Sequence, residues 1–301
     1  LIREDGTLAG MYVASGAEKP ERFNLDPSGR LYVAAAIGTD GASFERAQAL
    51  LAADVSAIVI DTAHGNTRDV VALLTRLKKA QEFSEIDIVA GNVAEPDGAV
   101  RLARAGADGV KVGVGPGSIC TTRIETGTGV PQATAIYTSV YAIRKAGIDT
   151  PVIGDGGITN FGDFCLSQAL GAESAMVGGL IAATDETPGE IIVRDGRKWN
   201  RYRGMGALSA MRQHKGSRDR YRQTDELEEL APEGVEKEII CRGPVRPILI
   251  KAEKYLRSAL GYAGQRTIRD YRINTRFVEM SHSGLLESQP HHAGGNPGGQ
   301  S

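Results

Sequence analysis

Between residues 31 and 180, short apolar segments alternate with amphipathic ones, and this alternation restricts the fold more than any other feature of the chain. Continuous apolar strands separated by helical segments are typical of a parallel sheet with helices packed on its faces. The predicted strands are Leu31–Gly38, Ala57–Ala63, Ile86–Asn92, Gly109–Gly115, Pro151–Gly156 and Ser174–Gly179. The predicted helices include Ser43–Ala53, Asp69–Gln81, Pro96–Ala105 and Phe161–Leu170. The sequence therefore predicts an α/β protein built from repeated βα units.

Nearly every predicted strand ends in polar or glycine-rich residues, found at 61–65, 91–92, 113–118, 155–157 and 178–179. A TIM (β/α)8 barrel carries its site at the carboxyl ends of its strands. A doubly wound sheet brings only a few such ends together. We therefore predict a TIM barrel. Because a closed barrel has eight strands and six precede Leu180, the first two strands are expected to be absent from this chain.

The chain divides into three predicted regions. Residues 1–20 contain a small hairpin with an Asp-Gly turn that does not belong to the βα series. Residues 21–293 form the barrel, and within it residues 195–243 are charged and glycine-punctuated, as expected of a long flap. An amphipathic helix is predicted at Val245–Leu260. Residues 294–301 are rich in glycine and are predicted to be disordered.

The overall composition excludes several classes of function. The net charge of -2 gives no broad attraction to nucleic acid. No apolar run approaches the roughly 20 residues of a membrane span. The three cysteines, Cys120, Cys165 and Cys241, are too few and too dispersed for a disulfide framework. These features indicate a cytoplasmic protein without a membrane or nucleic-acid partner.

The segment Lys111–Arg123 is the strongest candidate for chemistry. Its glycines at 113, 115 and 117 allow the backbone to approach a ligand closely. Cys120 follows them, and a cysteine in such a loop becomes a nucleophile when nearby donors stabilise its thiolate. Taken alone, the segment would favour a tight turn with an inert cysteine. The histidines in the C-terminal part lack zinc-like spacing, so no transition metal is expected at His282, His291 and His292.

The motifs of this chain, taken in order, resemble those of the inosine-5′-monophosphate (IMP) dehydrogenase family. The matching segments are Gly113–Arg123, Gly127–Gln132, Asp155–Ile158, Tyr202–Gly206, Gly216–Gln223 and Pro232–Gly234. The segment Leu1–Val13 is similar to the last hairpin of the family's regulatory CBS pair, which is inserted after the second barrel strand. The resemblance implies a barrel whose first two strands precede that insertion.

The resemblance also implies a reaction, the NAD-dependent oxidation of IMP to xanthosine monophosphate (XMP). Cys120 would attack C2 of the purine, and hydride would pass to NAD. The flap pair Arg220 and Tyr221 would then activate water to hydrolyse the covalent intermediate, with Thr122 as the hydroxyl partner close to the nucleophile. Without the cysteine loop, the flap segment would be interpreted as a solvated basic loop.

The same resemblance assigns the nucleotide site. Asp155 would accept hydrogen bonds from the ribose hydroxyls, and Glu233 would meet N1–H of the purine. The base would lie on the segment that contains Tyr202, Gly204, Met205 and Gly206. The residues implied for the phosphate are Ser118, Gly156, Gly157, Gly178 and Gly179. Many family members have serine at the position of Gly179, so one hydroxyl contact is expected to be lost.

For the cofactor, the resemblance implies that NAD binds across the barrel mouth. The residues implied are Asp61, Asn92, Gly113, Val114 and Gly115. Gly113–Gly115 is not a Rossmann fingerprint, because Ser118 replaces the third glycine. The resemblance further implies K⁺, held by backbone carbonyls and completed by the C-terminal segment of a neighbouring subunit in a homotetramer. The residues implied for K⁺ are Gly115, Gly117, Cys120, Glu287, Ser288 and Gln289.

Two other interpretations remain open at this point. GMP reductase shares the barrel, the cysteine loop and the phosphate site, but it uses NADPH and needs no hydrolytic flap. Arg220, Tyr221 and Glu233 therefore favour the dehydrogenase. The other interpretation is a truncated barrel that binds nucleotide or serves in assembly without catalysis.

Overall fold

The computed structural model describes Leu25, residues 29–223 and residues 228–289. The predictions for residues 1–20 and 294–301 lie outside the described residues, as do His291 and His292. Every helix in the described part of the chain is too short or too polar to cross a lipid bilayer.

Six parallel strands form the main sheet in the order of the sequence. They are β1 (Ala34–Ile37), β2 (Ala57–Asp61), β3 (Asp87–Val93), β4 (Gly109–Val112), β5 (Val152–Asp155) and β6 (Ser174–Met176). The helices that connect them are α1 (Ser43–Ala52), α2 (Arg68–Lys79), α3 (Pro96–Arg104), the single turn α4 (Thr122–Glu125), α5 (Gln132–Lys145) and α6 (Phe161–Ala169). A 3₁₀ turn, Gln81–Phe83, follows α2. Parallel strands in unbroken sequential order confirm the TIM-type α/β fold, of which the described residues contain six strands.

Three of the helices that connect the strands begin at a residue suited to a helix start. The hydroxyl of Thr67 accepts a hydrogen bond from the backbone of Val70 at the start of α2, and Asn160 does the same for Asp163 in α6. Pro96 occupies the first turn of α3, where its missing N–H costs nothing. Helices and strands meet in one core, in which the fully buried side chains include Ile58, Ile60, Leu74, Ile88, Leu102 and Ile136.

A second, antiparallel sheet of three strands follows the main sheet. It consists of β7 (Ile191–Arg194), β8 (Arg197–Arg203) and β9 (Glu236–Ile240), with the short helices α7 (Leu208–Gln213) and α8 (Lys215–Arg220) between the last two strands. The flap predicted at 195–243 therefore contains two strands and two short helices in its described residues. The sequence did not indicate these strands, because β8 is mostly charged and only Asn200 in it is fully buried.

The chain ends, as far as it is described, in three helices, namely α9 (Arg246–Tyr262), α10 (Ile268–Asn274) and α11 (His282–Glu287). Helix α9 matches the predicted helix 245–260, and Pro247 lies in its first turn. Both α9 and α10 pack against α6.

Candidate active site

One cavity of about 340 Å³ lies at the carboxyl ends of the parallel strands. Its lining combines residues that follow β2 to β6 with residues of the flap. From the strand ends come Asp61, Asn92, Lys111, Gly113, Gly115, Gly117, Ser118, Cys120, Thr122, Asp155, Gly156 and Gly178. From the flap come Tyr202, Gly204, Met205, Gly206, Arg220, Tyr221, Glu233 and Gly234. The fold thus gathers residues far apart in sequence around a single space.

Four polar side chains from neighbouring strands form a buried cluster on the floor of this cavity. We call Asp61, Asn92, Lys111 and Asp155 the strand-end cluster. The Nζ of Lys111 lies 2.7 Å from Oδ1 of Asp61 and 2.5 Å from Oδ2 of Asp155, and it also donates to Oδ1 of Asn92. The amide of Asn92 donates to Asp155 Oδ2 at 2.8 Å and to the carbonyl of Gly113 at 2.7 Å. The cluster therefore ties the ends of β2, β3, β4 and β5 together.

The candidate nucleophile lies on a loop that pairs with the flap. Sγ of Cys120 is 3.1 Å from Oγ1 of Thr122, so a hydroxyl is in direct contact with the thiol. The backbone N–H of Thr121 donates to the carbonyl of Glu233 at 2.9 Å, and Val235 donates to the carbonyl of Ile119 at 2.9 Å. These bonds fix Glu233 beside the cysteine loop, although 113 residues separate Glu233 from Cys120 in the sequence.

Gly113 is a position where only glycine fits. Its φ of 152° lies in the region that favours glycine, and a Cβ there would lie 2.0 Å from the carbonyl oxygen of Asp155. At Gly179 the limit is a side chain instead, because a Cβ would lie 2.8 Å from Oγ of Ser118. A serine at position 179 would therefore require the side chain of Ser118 to move. The position of Ser118 thus explains locally why a glycine suits position 179 in this chain.

The flap brings a cation and a phenol to the rim of the strand-end cluster. The guanidinium of Arg220 forms an ion pair with Oδ2 of Asp61, and the backbone N–H of Ala63 donates to the carbonyl of Arg220 at 3.0 Å. Burial lowers the pKa of Arg220, and the adjacent Tyr221 opposes that shift. The ion pair with Asp61 opposes it as well, since a nearby carboxylate favours the charged form. Burial raises the pKa of Tyr221.

The structure brings most of the predicted site residues together. The four predicted catalytic residues, Cys120, Thr122, Arg220 and Tyr221, all line the cavity. Among the predicted substrate and cofactor residues, the exceptions are Gly157, Gly179 and Val114. Gly157 packs against Gln132 and Pro116, Gly179 lies beside Ser118, and the carbonyl of Val114 accepts from Nε of Arg123 at 3.2 Å.

The residues predicted for K⁺ fall into two groups. Gly115, Gly117 and Cys120 line the cavity, and their donors are backbone carbonyls, the oxygen ligands that suit a hard monovalent cation. The carbonyl of Gly117 already accepts from the N–H of Cys120 at 3.1 Å, which leaves one lone pair available. Residues 287–289 do not line the cavity of their own chain. In the described residues, no group of three or more His, Cys, Asp or Glu side chains is placed to hold a metal ion.

Sequence reasoning assigned no role to Lys111, Gln132 or Arg123, although it quoted all three within motifs. The amide of Gln132 donates to the carbonyls of Val112 and Asp155, at 2.9 and 3.2 Å. Arg123 donates to the carbonyls of Val114 and Val130, which brace the cysteine loop. The one available signal was Lys111 itself, a charged residue within an otherwise apolar strand.

Fold and site together define a class of protein, a TIM-type α/β protein with a cysteine and a flap around one cavity of about 340 Å³. The sequence matches the family described as IMP dehydrogenase / GMP reductase domain over residues 16–291. The chain belongs to this family.

Individual relatives agree with this assignment. Inosine-5′-monophosphate dehydrogenase from Chlorobaculum tepidum is 43% identical over 97% of this chain, and the enzyme of the same name from Streptococcus pyogenes is 44% identical over the same share. The chain spans 59% of the length of these curated relatives. Among solved structures, a cysteine-to-alanine variant of GMP reductase from Trypanosoma brucei in complex with guanosine 5′-monophosphate has a TM-score of 0.81 and 40% identity. That match covers 89% of this chain and 54% of the reductase.

Proposed function

We propose that the protein is an IMP dehydrogenase, an oxidoreductase that converts IMP to XMP with NAD in guanine nucleotide biosynthesis. The observation that carries this proposal is the shared cavity of Cys120, Arg220, Tyr221 and Glu233. A nucleophile alone would fit either branch of the family, whereas a hydrolytic pair and a carboxylate for N1–H fit the dehydrogenase. The relatives named IMP dehydrogenase support the same conclusion.

In the first half of the reaction, Cys120 forms a bond to C2 of the purine. Asp155 holds the ribose, Glu233 meets N1–H, and the loop around Ser118 holds the phosphate. The thiolate adds to C2, and the C2 hydrogen then leaves with its electron pair, so that the purine is oxidised and a thioimidate remains on Cys120. NAD supplies the hydride acceptor when it is bound. Thr122, 3.1 Å from the sulfur, stabilises the thiolate through its hydroxyl.

In the second half, water replaces the thiol. Arg220, with Tyr221 beside it, takes a proton from water, whose oxygen bonds to C2 as the C–S bond breaks. The electron pair of the broken C–S bond leaves with Cys120 as its thiolate, the remaining proton of the added water moves from the oxygen on C2 to N3, and XMP is released. Burial lowers the pKa of Arg220, which increases the fraction of neutral guanidine that can act as a base.

Asp61 has a proposed role in both halves of the reaction. It is expected at the cofactor site together with Asn92 and residues 113–115, yet its carboxylate pairs with Arg220 in this arrangement of the flap. A cofactor that uses Asp61 must therefore replace Arg220 there, and Arg220 returns after the cofactor leaves. The buried acidic oxygens and the glycine-rich rim fit a dinucleotide that binds through its ribose and amide groups.

The proposal includes the assembly and the ion. K⁺ is held by the carbonyls of Gly115, Gly117 and Cys120, and residues 287–289 of a neighbouring subunit complete the site in a cytoplasmic homotetramer. The donor set of carbonyl oxygens supports this choice of ion. Bound there, K⁺ would fix the conformation of the cysteine loop.

GMP reductase is the second candidate, and one observation favours it, namely the 40% identity with the reductase of known structure. That reaction would consume NADPH and GMP and would not require Arg220 as a base. A third possibility is a chain that binds nucleotide without catalysis. One assay separates all three.

The deciding experiment follows NADH by near-ultraviolet absorbance with IMP and NAD in potassium buffer, and NADPH consumption with GMP in parallel. We expect NADH from the unaltered protein and a loss of about a thousandfold or more in Cys120→Ala. Cys165→Ala is the matched control, because Cys165 is buried in α6, outside the cavity, and burial raises the pKa of its thiol. NADPH consumption with GMP would establish the reductase instead, and nucleotide binding without either reaction would establish the non-catalytic chain.

A further inference from the structure

Lys111 is a buried cation that the proposed mechanism does not use. Its residue is 1% exposed, and its neighbours in β4, Val110 and Val112, are fully buried apolar residues. Burial lowers the pKa of Lys111, and Asp155 opposes this shift. A buried ammonium is costly unless it is paired and hydrogen-bonded. A lysine at this position therefore needs the partners that surround it.

The ammonium of Lys111 is surrounded by polar groups of its own chain. It carries three N–H groups; it donates to Oδ1 of Asn92 and Oδ2 of Asp155, and it forms an ion pair with Asp61, whose Oδ1 lies 2.7 Å away. Each of these partners comes from a different strand. We therefore expect the influence of Lys111 on a bound nucleotide to pass through these neighbours.

The two carboxylates of the strand-end cluster depend on this one cation. Both lie within 2.7 Å of the same nitrogen, so Asp61 and Asp155 are held close to each other despite equal charges. Like charges at such separation repel strongly in a buried site. Arg220 relieves the repulsion only at Asp61 and only while the flap is in place. Asp155 has Lys111 as its only ion-pair partner among the described residues.

We propose that Lys111 is a positioning residue, which orients Asp155 for the nucleotide and couples it to Asp61 on the cofactor side. This inference rests on the proposed function, because it takes Asp155 as the ribose acceptor. Without Lys111, the amide of Asn92 is the one side-chain donor to Asp155 that remains within the described residues. Its carboxylate is then free to rotate away from Asp61 and from the ribose.

Substitution of Lys111 alone cannot separate a loss of positioning from a loss of folding stability, because it removes the cation that lies between two largely buried carboxylates. The test therefore compares Asp61→Asn with the double variant Lys111→Met/Asp61→Asn, in which one negative and one positive charge are removed together. A role limited to charge compensation would change the melting temperature but not the IMP affinity of the folded protein.

IMP affinity is measured by calorimetry without NAD, and folding by thermal melting. We expect the double variant to bind IMP about tenfold more weakly than Asp61→Asn at a temperature well below both melting temperatures, the size expected for one lost bond to a charged group. Lys78→Met is the matched control, since it removes an ion pair with Asp108 of 2.8 Å outside the cavity, and its IMP affinity should equal that of the unaltered protein.

Equal IMP affinity in Asp61→Asn and the double variant would overturn the positioning role. If the double variant does not fold, Lys111→Gln/Asp61→Asn replaces it, because the glutamine amide offers hydrogen-bond donors without a charge, and the same comparison decides. Failure of the unaltered protein to bind IMP would overturn the proposed function and this inference with it. Binding by the unaltered protein with no difference between the variants would overturn the inference alone.

Discussion

The strand-end cluster and the flap helix α8 meet at Asp61, but different kinds of contact hold them in place. The cluster is buried, and its ammonium, amide and carboxylates bond one another. Helix α8 combines buried and exposed attachments: Ser217 is buried and Arg220 pairs with Asp61, while at the surface Lys215 pairs with Asp40 at 3.3 Å and Arg222, just beyond the helix, pairs with Asp69 at 3.2 Å. Exposed pairs contribute about 0 to 1 kcal/mol each. The cluster is therefore held by largely buried contacts, whereas the flap half adds exposed ion pairs to its one largely buried pair, Arg220 with Asp61.

This difference agrees with what each half is proposed to do. The nucleotide must stay bound through two chemical steps, which requires a rigid platform. Arg220 and Tyr221 must move away from Asp61 while the cofactor is bound there and must return afterwards. Such a movement is easier when the flap is attached by weak and exposed contacts. The three tests below act on the flap half, which we call the mobile half because its proposed role requires it to move.

The largest effect is expected from Arg220→Ala, which removes the catalytic group of the mobile half. Hydride transfer should survive, so one equivalent of NADH should form, followed by steady turnover slower by about a hundred- to a thousandfold. Mass spectrometry should find the nucleotide on the peptide that contains Cys120. Steady turnover at the unaltered rate, without this adduct, would exclude Arg220 as the base.

A smaller effect is expected from pH, again on the mobile half. Only neutral Arg220 can accept a proton, and burial lowers its pKa. Well below that pKa, the neutral fraction rises with pH, so hydrolysis should accelerate by up to about tenfold per pH unit. Rapid-mixing measurements of the step after NADH release would show the slope, with Arg220→Ala as the control that lacks it. A hydrolysis rate that falls with rising pH would contradict the assignment.

The smallest effect is expected from Arg222→Ala, which removes one surface attachment of the flap. Arg222 also donates to the hydroxyl of Thr67 at 2.9 Å, at the start of α2. Since both contacts are exposed, steady turnover should change by only about twofold, and the difference should shrink at high salt. Arg257→Ala, which removes a surface pair with Glu253 within α9, is the matched control. A tenfold change would show that the flap is held more tightly than its contacts indicate.

Much of the fold could be predicted from the sequence because its strands are apolar on both faces. Strands β2 to β5 lie within the predicted segments or extend one residue beyond them, and the predicted helices before residue 170 end within two residues of the observed ones. Helix α5 is not among the predicted helices. Its exposed Tyr137 and Tyr141 make the apolar face of this helix harder to recognise in the sequence. Strands β7 to β9 were missed because a small sheet that is exposed on most of its surface shows no apolar alternation.

The candidate site likewise contains residues that the sequence predicted and one residue, Lys111, to which it assigned no role. Cys120, Asp155 and Arg220 were predicted because each lies in a motif that is readable along the chain. Lys111 was not, because its role depends on acceptors from three other strands.

The sequence by itself therefore determined the βα units, the cysteine loop and the residue types available at each strand end. These follow from local patterns of apolar, glycine and polar residues. Only the tertiary structure decided which of those residues touch. It placed one ammonium between two carboxylates and one guanidinium against Asp61, because the parallel strands end side by side and the flap folds back over them. Electrostatic interactions act between residues that are close in space, and a pattern along the sequence does not show which residues are close in space.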